Sequence, residues 1–469
     1  MNILPYNRKD KESIILYAKK LEGKTLRQFQ KEGLLEDEYV GKGSFGQLLE
    51  KIYFSYKPNS DSQPDFPEAS LELKSSPLKQ LKDDRIVSKE RLVLNIINYE
   101  KEALKNFYTS SFWLKNSNLL LVLYLHETDK NPLDLVVKLV GEWSFTKQDL
   151  EIIQNDWNII HEKILSGKAH ELSEGDTFYL AACTKGANSK TTRVQYKTKT
   201  PAKQRAYSLK QGYVNHIIAE FSKNKEKKYG KLIPDTLLTE KVDIEKIVMS
   251  KFERYYNNNI DKILEDVGVP LNSSAKNFYA NLTKAILEIN PDNEIEEFEK
   301  ANIIIRTVRL KNNNLPKESV SFPVFKYTEI VQEEWNESKI KELIENKFFF
   351  IFYKYTPHGL ILKKVQFWNM PYNDRESLKQ VWLRTKEIIK EGNIVKEVTN
   401  GRRITNFPGK SFSPVAHVRP HARNAADTYP LPTRDIVTNQ KEYTKHCFWL
   451  NDSYIRDNIY LKVNESKGV

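Results

Sequence analysis

The sequence predicts an α/β protein with two domains, and three observations lead to that fold class. Residues 71–74 alternate apolar and charged side chains, which is the period of a half-buried strand, and residues 119–125 form the short apolar run typical of a central strand. Residues 147–166 have the pattern of a long helix that ends at Gly167. A chain of 469 residues is too long for one ordinary core, so two domains or more are expected.

Composition argues against several classes of protein. No apolar stretch is long enough to span a membrane, and the first residues lack the apolar core of a signal peptide. The two cysteines, Cys183 and Cys447, cannot build a disulfide framework and suit a reducing cytoplasm, which is where we expect the protein. Neither cysteine has a second one near it, so a thiolate zinc site is not expected. A zinc site at His417 and His421 is a further alternative. Pro420 lies between the two histidines and disfavours the helix that would pair them.

The distribution of charge predicts a nucleic-acid partner. The formal net charge is +12, and no acidic residue occurs between Asp176 and Glu220. This basic window is interleaved with tyrosines and contains Lys185, Lys190, Arg193, Lys197, Lys199, Lys203, Arg205 and Lys210. A solvated face would normally mix the two signs, whereas one sign combined with hydroxyls and aromatics is typical of a surface that follows phosphates.

Two carboxylates and a lysine form the predicted chemical centre. Asp65 lies just before the strand of residues 71–74, where a turn can bring its carboxylate beside that of Glu72. Two converging carboxylates make the hard-oxygen site that Mg²⁺ prefers, and Lys74 on the same strand face can polarise a water or stabilise phosphate charge. This equipment suits hydrolysis of a phosphodiester. The alternative is a solvated strand face, since so short a pattern also arises by chance.

Two further residues are candidates for the same centre. Residues 45–53 have the pattern of a helix, on which Glu50 is either a rim carboxylate or a third acid that faces the metal cluster. Lys115 lies just ahead of the central strand 119–125, at its entry.

The second half of the sequence repeats the first, with the correspondences in order. The matched segments are 45–52 with 279–286, 68–74 with 300–306, 89–99 with 317–327, 157–167 with 382–392, 185–188 with 421–424, and 209–213 with 450–454. The repeat is not faithful at the acids, because Glu50, Glu72 and Lys74 fall against Lys284, Ile304 and Arg306. Isoleucine cannot ligate a metal, so we expect the second copy to keep the fold and bind DNA without hydrolysing it. The alternative is a scaffold that only stabilises the first copy.

The repeat and the lysine-rich residues 222–231 predict the domain organisation. We expect a catalytic domain in residues 1–225, a linker in residues 226–245, and a catalytically inactive DNA-binding domain in residues 246–469. The second domain would act as the second arm of a pseudo-dimer or hold a separate DNA as an effector.

Five longer strings resemble the MutH-like branch of the restriction-endonuclease fold. They are GSFGQLLE at 43–50, PDFPEASLELK at 64–74, KERLVLNIINYE at 89–100, GKAHELSEG at 167–175 and TKGAN at 184–188. The chain is most similar to type II restriction endonucleases that cut GATC and carry two MutH-like domains, over nearly its whole length. The resemblance implies two restriction-endonuclease-like domains, each a mixed central sheet flanked by helices, that form a pseudo-dimer.

The resemblance also implies an activity and roles for the candidate residues. A member of this family is expected to need Mg²⁺ and to cut double-stranded DNA 5′ of the G in GATC. Carried over by motif, Asp65 and Glu72 are metal ligands, Lys74 positions or activates the water, Glu50 is the additional helix acid, and Lys115 is a second active-site lysine. With a single active centre, the chain must dimerise on DNA or rebind to cut both strands. A cognate DNA methyltransferase is expected as a functional partner, not a physical one.

The expected DNA-binding residues lie in two basic segments. They are Lys185, Asn188, Lys190, Arg193, Arg205 and Lys210 in the first domain, and Arg419, His421, Arg423 and Asn424 in the second. Lys185 can donate to guanine O6 and N7, and Asn188 can accept from adenine N6 and donate to N7, but which base each meets stays open.

Two other functions compete with this interpretation. A mismatch-repair enzyme that nicks hemimethylated GATC would share the same centre, and the doubled length of the chain disfavours it. A non-catalytic DNA-binding regulator would use both basic segments, and the intact Asp65, Glu72 and Lys74 argue against it.

Overall fold

The computed structural model describes residues 4–29, 44–56, 63–186, 190–222, 228–233, 243–400 and 402–462. Its strands are β1 Glu72–Gln80, β2 Ile86–Ser88, β3 Leu92–Ile96, β4 Asn118–Leu125, β5 Val137–Ser144, β6 Leu180–Thr184, β7 Thr192–Gln195, β8 Thr198–Lys203, β9 Arg205–Leu209, β10 Tyr229–Gly230, β11 Glu294–Ile295, β12 Ile304–Leu310, β13 Val320–Ser321, β14 Phe348–Thr356, β15 Gly359–Trp368, β16 Val395–Thr399, β17 Arg402–Thr405, β18 Ala416–Pro420, β19 Thr428–Pro430, β20 Glu442–Thr444 and β21 His446–Leu450.

The α-helices are α1 Lys11–Lys19, α2 Ser44–Leu48, α3 Tyr99–Glu102, α4 Ser111–Asn116, α5 Lys147–Leu165, α6 Gln211–Ser222, α7 Ile244–Glu253, α8 Ile260–Val267, α9 Phe278–Ile286, α10 Glu296–Ala301, α11 Tyr327–Ile330, α12 Lys339–Ile344, α13 Tyr372–Lys390 and α14 Asp452–Tyr454. Two π-helical turns, Leu49–Tyr53 and Ile455–Tyr460, follow α2 and α14 directly. None of the described helices has the length and apolar character needed to cross a membrane.

The chain divides into two compact units. Unit 1 contains residues 1–243 and 293–302, and unit 2 contains residues 244–292 and 303–469. The segment 293–302 therefore packs with the first half, although it lies far beyond the expected linker in sequence. There β11 pairs in parallel with β10, and the Glu297 carboxylate accepts hydrogen bonds from the backbone N–H groups of Leu232 and Ile233 at 3.0 Å. The functional division into two domains stays a prediction.

Unit 1 is built on a mixed four-stranded sheet with the order β2-β1-β4-β5. Strands β1 and β4 run parallel with Glu72 opposite Leu119, whereas β2 and β5 are antiparallel edge strands. A separate antiparallel sheet has the order β3-β9-β6. The central position of β4 explains its apolar sequence, because residues Leu119–Leu123 are all fully buried.

The sheets of unit 2 are arranged like those of unit 1. Strands β12 and β14 run parallel with Ile304 opposite Phe348, β15 is antiparallel to β14, and a second sheet has the order β13-β21-β18. The long helices α5 and α13 each have 19 residues, and each is followed by a glycine with a positive φ, Gly167 at 69° and Gly392 at 67°. This shared topology agrees with the repeat in the sequence. The predicted mixed α/β class is confirmed.

Candidate active site

A tight turn before β1 brings two carboxylates together. The chain passes through a 3₁₀ turn at Pro67–Ala69 and a left-handed residue, Ser70 with φ 50°, before it enters the strand. The Asp65 backbone N–H donates to Glu72 Oε2 at 3.0 Å, and the Leu73 backbone N–H donates to Asp65 Oδ2 at 3.1 Å. These reciprocal hydrogen bonds hold the two acids side by side, as the spacing in the sequence predicts.

The alternation along β1 places its apolar side chains and its charged side chains on opposite faces of the sheet. Leu71 and Leu73 lie in the apolar core of unit 1 at 0% and 5% exposure. Glu72 points to the other face of the sheet and yet is only 1% exposed. A carboxylate that is buried without water must be paired, so the alternative of a solvated strand face is wrong.

Two lysines supply that pairing. Lys74 Nζ lies 2.5 Å from Glu72 Oε1, and Lys115 Nζ lies 3.6 Å from the same oxygen. Lys115 is near the end of α4, and the parallel pairing of β1 with β4 brings this entry point next to Glu72. Both lysine side chains are themselves mostly buried, at 17% and 13% exposure. Low exposure strengthens their attraction for an anion.

Glu50 also faces this cluster. It lies on the π-helical turn that follows α2, a rare form that often marks functional positions. Burial, and then the neighbouring carboxylate of Asp65, raise the pKa of Glu50 to about 7. Burial likewise raises the pKa of Glu72 to about 7, with Lys74 acting against the shift and Asp65 adding to it. A cation among these acids would favour their ionised forms.

Tyr56 is a member of the cluster that the sequence did not reveal. Its hydroxyl is fully buried and has no hydrogen-bond partner among the described residues. Burial raises the pKa of this phenol, and the negative charges of Asp65, Glu50 and Glu72 add to the shift. No local pattern marks the residue, because only the turn of the chain after Tyr53 brings it there.

The donors present fit a magnesium ion. No group of three or more His, Cys, Asp or Glu side chains with metal-site geometry occurs in the described ranges. Mg²⁺ does not need such a cage, because it keeps several waters and binds through one or two carboxylates together with substrate phosphates. Asp65 and Glu72 provide two carboxylates for such an ion. The zinc alternative is not supported, since His417 is buried against Asn451 Oδ1 at 2.7 Å while His421 is exposed.

The end of the basic window nearest β6 is accessible. Lys185 and Lys190 are exposed, and Arg193 is half-buried, with its Nε donating to Gln204 Oε1 at 2.8 Å. The Lys185 backbone is fixed by hydrogen bonds to Gln204 in both directions. Asn188 lies outside the described residues.

Arg205 and Lys210 correct the expectation that the whole basic window binds DNA. Each is 4% exposed. Arg205 donates to the backbone carbonyls of Ala182 and Leu172, and Lys210 Nζ donates to the Thr177 carbonyl at 2.6 Å. Their charged ends therefore hold the sheet and loops of unit 1 together and do not reach the surface. The absence of acids in the window did not reveal which bases point inward.

The matching basic segment of unit 2 is exposed. Arg419, at the end of β18, stacks its guanidinium 3.9 Å from the centre of the Trp449 ring, and His421 contacts the same ring. Arg423 and Asn424 follow on the surface, where the Arg423 side chain is 88% exposed. All four side chains predicted to bind DNA in unit 2 are thus accessible.

The position that corresponds to Glu72 is apolar in unit 2. Ile304 begins β12 opposite Phe348, as Glu72 begins β1 opposite Leu119. Arg306 lies two residues further along, in the place of Lys74. In the sequence repeat, the residue that corresponds to Asp65 is Glu297. Glu297 belongs to unit 1, where its carboxylate accepts hydrogen bonds from two backbone N–H groups.

Comparison with known proteins agrees with this geometry. The family model of the DNA mismatch repair enzyme MutH matches residues 54–156, which contain Asp65, Glu72, Lys74 and Lys115. The type II restriction enzyme Sau3AI of Staphylococcus aureus is 38% identical over 455 residues, which cover 89% of this chain and 92% of that enzyme. Similarity of this extent includes both units. The chain therefore belongs to the MutH-like type II restriction endonucleases, the family of Sau3AI.

Proposed function

We propose that this restriction endonuclease hydrolyses double-stranded DNA at 5′-GATC, cuts before the G, and depends on Mg²⁺. The observation that carries the proposal is the convergence of Asp65, Glu72, Lys74 and Lys115 at the entry of two parallel strands. The GATC site follows from the resemblance in the sequence and from the match to the family of MutH and Sau3AI.

Asp65 and Glu72 would hold the metal, with Glu50 as a nearby third acid. Mg²⁺, when bound, would neutralise phosphate charge and ease deprotonation of a water. The setting of these acids supports this role, because Glu72 is buried and Asp65 and Glu50 are half-buried, so that water is partly excluded and the field of each charge is strengthened.

The lysines act on the reacting groups. Lys74, held beside Glu72, positions the attacking water, and Lys115 stabilises the negative charge that develops on the phosphate oxygens. The water oxygen bonds to phosphorus, the bond from phosphorus to the 3′-oxygen breaks, and that oxygen takes up a proton. The products are a 3′-hydroxyl and a 5′-phosphate on the G. The Tyr56 hydroxyl donates to a water or phosphate oxygen in the same cluster.

DNA would be bound by both units. In unit 1, Lys185, Lys190 and Arg193 are accessible bases that would bind DNA. Asn188, predicted from the sequence, would bind DNA as well. In unit 2 the exposed segment from Arg419 to Asn424 would bind DNA without cutting it, as the second arm of a pseudo-dimer or as an effector site.

A single active centre has consequences for the assembly. One centre cuts one strand, so two chains on one site, or successive binding events, are needed for a double-strand break. A homodimer on DNA is the simpler solution for a palindromic site. A cognate DNA methyltransferase that protects the host genome is the expected functional partner.

A nicking enzyme of mismatch repair is the second candidate, favoured by the match of residues 54–156 to the MutH model. The match of the Staphylococcus aureus restriction enzyme across both units favours restriction over repair.

Digestion of a plasmid with Mg²⁺, followed by sequencing of the fragment ends, tests the proposal. Double-strand ends that begin 5′-GATC are expected on unmethylated DNA. Nicks confined to hemimethylated GATC would favour repair. An intact plasmid that is only retarded in a gel would mean a non-catalytic DNA-binding protein.

A further inference from the structure

A cationic groove lies in unit 2 beside β12. It has a volume of about 420 Å³, and its lining includes Arg306, Arg309, Lys317 and His421. One acid, Glu318, also lines the groove, but its side chain is 70% exposed and lies 3.9 Å from Arg309. The groove therefore has an excess of positive charge.

Arg306 is the unusual member of this lining. Its Nε is fully buried without a hydrogen-bond partner among the described residues. Nη1 makes one long contact, 3.4 Å, to the neighbouring Ile305 carbonyl, and no carboxylate in the described part of the chain pairs with this guanidinium. Burial lowers the pKa of Arg306, and the residue is half-buried where it lines the groove. An unpaired buried charge is costly, so such an arrangement is expected where an anion completes it.

The position of Arg306 in the fold indicates which anion. Arg306 is the third residue of β12, as Lys74 is the third residue of β1, where the phosphate undergoing hydrolysis would lie. In unit 2, Ile304 stands at the position of Glu72, the acid that would hold the metal in unit 1. The groove therefore contains Arg306, the counterpart of Lys74, and the position of Glu72 carries no carboxylate in unit 2.

The geometry points to a phosphodiester of a DNA backbone as the ligand of this groove, bound by Arg306 without a metal ion. A guanidinium suits this task because its planar fork can donate two hydrogen bonds to one phosphate. The groove is also continuous with the surface predicted to bind DNA, since His421 belongs to both. The inference rests on the proposed function in taking DNA as the partner. It adds the site and the independence from metal.

Hydrogen exchange of the full-length protein in EDTA tests this binding locally. A short GATC duplex is expected to slow exchange several-fold in peptides from residues 311–323 of the wild type. Arg306→Gln removes the charge and should abolish that protection, whereas Arg306→Lys should keep part of it. The matched control is Arg384→Gln, an exposed arginine of α13 paired with Glu387, which should leave the protection unchanged.

Three results of the exchange experiment would overturn the inference. They are the absence of protection in the wild type, equal protection in Arg306→Gln, and equal protection by inorganic phosphate alone, which would mean a small-anion site. Plasmid cleavage with Mg²⁺ is measured on the same preparations. Cleavage without protection of the groove rejects this inference and leaves the proposed function standing, whereas protection without cleavage supports the inference and rejects the proposed function.

Stability separates binding from a structural role. Because Arg306 is unpaired, Arg306→Gln and Arg306→Leu should unfold in urea at or above the wild-type midpoint. A fall in the midpoint of both variants would show that Arg306 supports the fold, and would overturn the assignment.

Discussion

Replacing Tyr56 with phenylalanine should make the free protein more stable and the enzyme slower. The hydroxyl is buried without a partner in the described residues, which costs roughly 1 to 3 kcal/mol when no water or ligand satisfies it. Removing it without leaving a large cavity should therefore stabilise the metal-free, DNA-free protein by about 1 kcal/mol. For a unit of this size that corresponds to a rise in Tm of about 2 to 4 °C.

Tyr53→Phe is the matched control. Tyr53 belongs to the preceding π-helical turn, and its hydroxyl donates to the Tyr17 carbonyl at 2.6 Å. Removing this satisfied hydrogen bond should destabilise the protein by about 1 kcal/mol. Thermal unfolding in EDTA should thus move the two variants in opposite directions, although each loses the same atom.

The same variants separate activity from folding. If the Tyr56 hydroxyl bonds a water or phosphate oxygen during the reaction, its loss should slow single-turnover cleavage about tenfold, the equivalent of about 1.4 kcal/mol. Binding of DNA in EDTA should not change. A Tyr56→Phe variant that loses stability as Tyr53→Phe does, and cleaves at the wild-type rate, would refute the placement of this hydroxyl in the active centre.

Two further predictions concern buried charges. Arg205→Ala should lower the free energy of unfolding by about 2 to 3 kcal/mol without changing the salt dependence of DNA binding. The exposed control Lys190→Ala should instead lower the slope of log affinity against log salt concentration by about 1. Urea titration measures the first effect and DNA binding across a salt series the second, and the reverse pattern would restore Arg205 as a phosphate contact. Burial lowers the pKa of His446 to about 4, so the unfolded chain takes up a proton before the folded one and stability falls as the pH drops from about 6.5 towards 4. At pH 5 the wild type should have lost about 2 kcal/mol of unfolding free energy relative to His446→Gln, which cannot titrate at this position. Parallel curves of unfolding free energy against pH for the two proteins would contradict this prediction.

The convergence of Asp65, Glu72 and Lys74 is predictable from the sequence because its signals are local. Asp65, Glu72 and Lys74 lie within ten residues, and one turn and one strand are enough to bring them together. Lys115 was found through its place at the entry of an apolar strand, which the parallel pairing of β1 and β4 turns into a contact with Glu72.

Features that depend on distant packing were not predictable. The basic window predicts the sign of the charge but not which side chains point to the surface, and Arg205 and Lys210 point inward. Tyr56 becomes part of the centre only through a fold of the chain that leaves no periodic pattern. The pairing of residues 293–302 with unit 1 likewise joins segments more than 60 positions apart, here Leu232 and Glu297.

The claim that hydrolysis occurs only at the centre of unit 1 is tested most directly by Glu72→Ala, measured as single-turnover cleavage of a GATC duplex with Mg²⁺. Glu68→Ala is the matched control, because Glu68 is an exposed acid four residues earlier on the same segment. We expect Glu72→Ala to lose roughly 10³-fold or more in rate, while it still binds the duplex specifically, and Glu68→Ala to cleave as the wild type does. Cleavage by Glu72→Ala at the wild-type rate would contradict the account and remove the assigned centre.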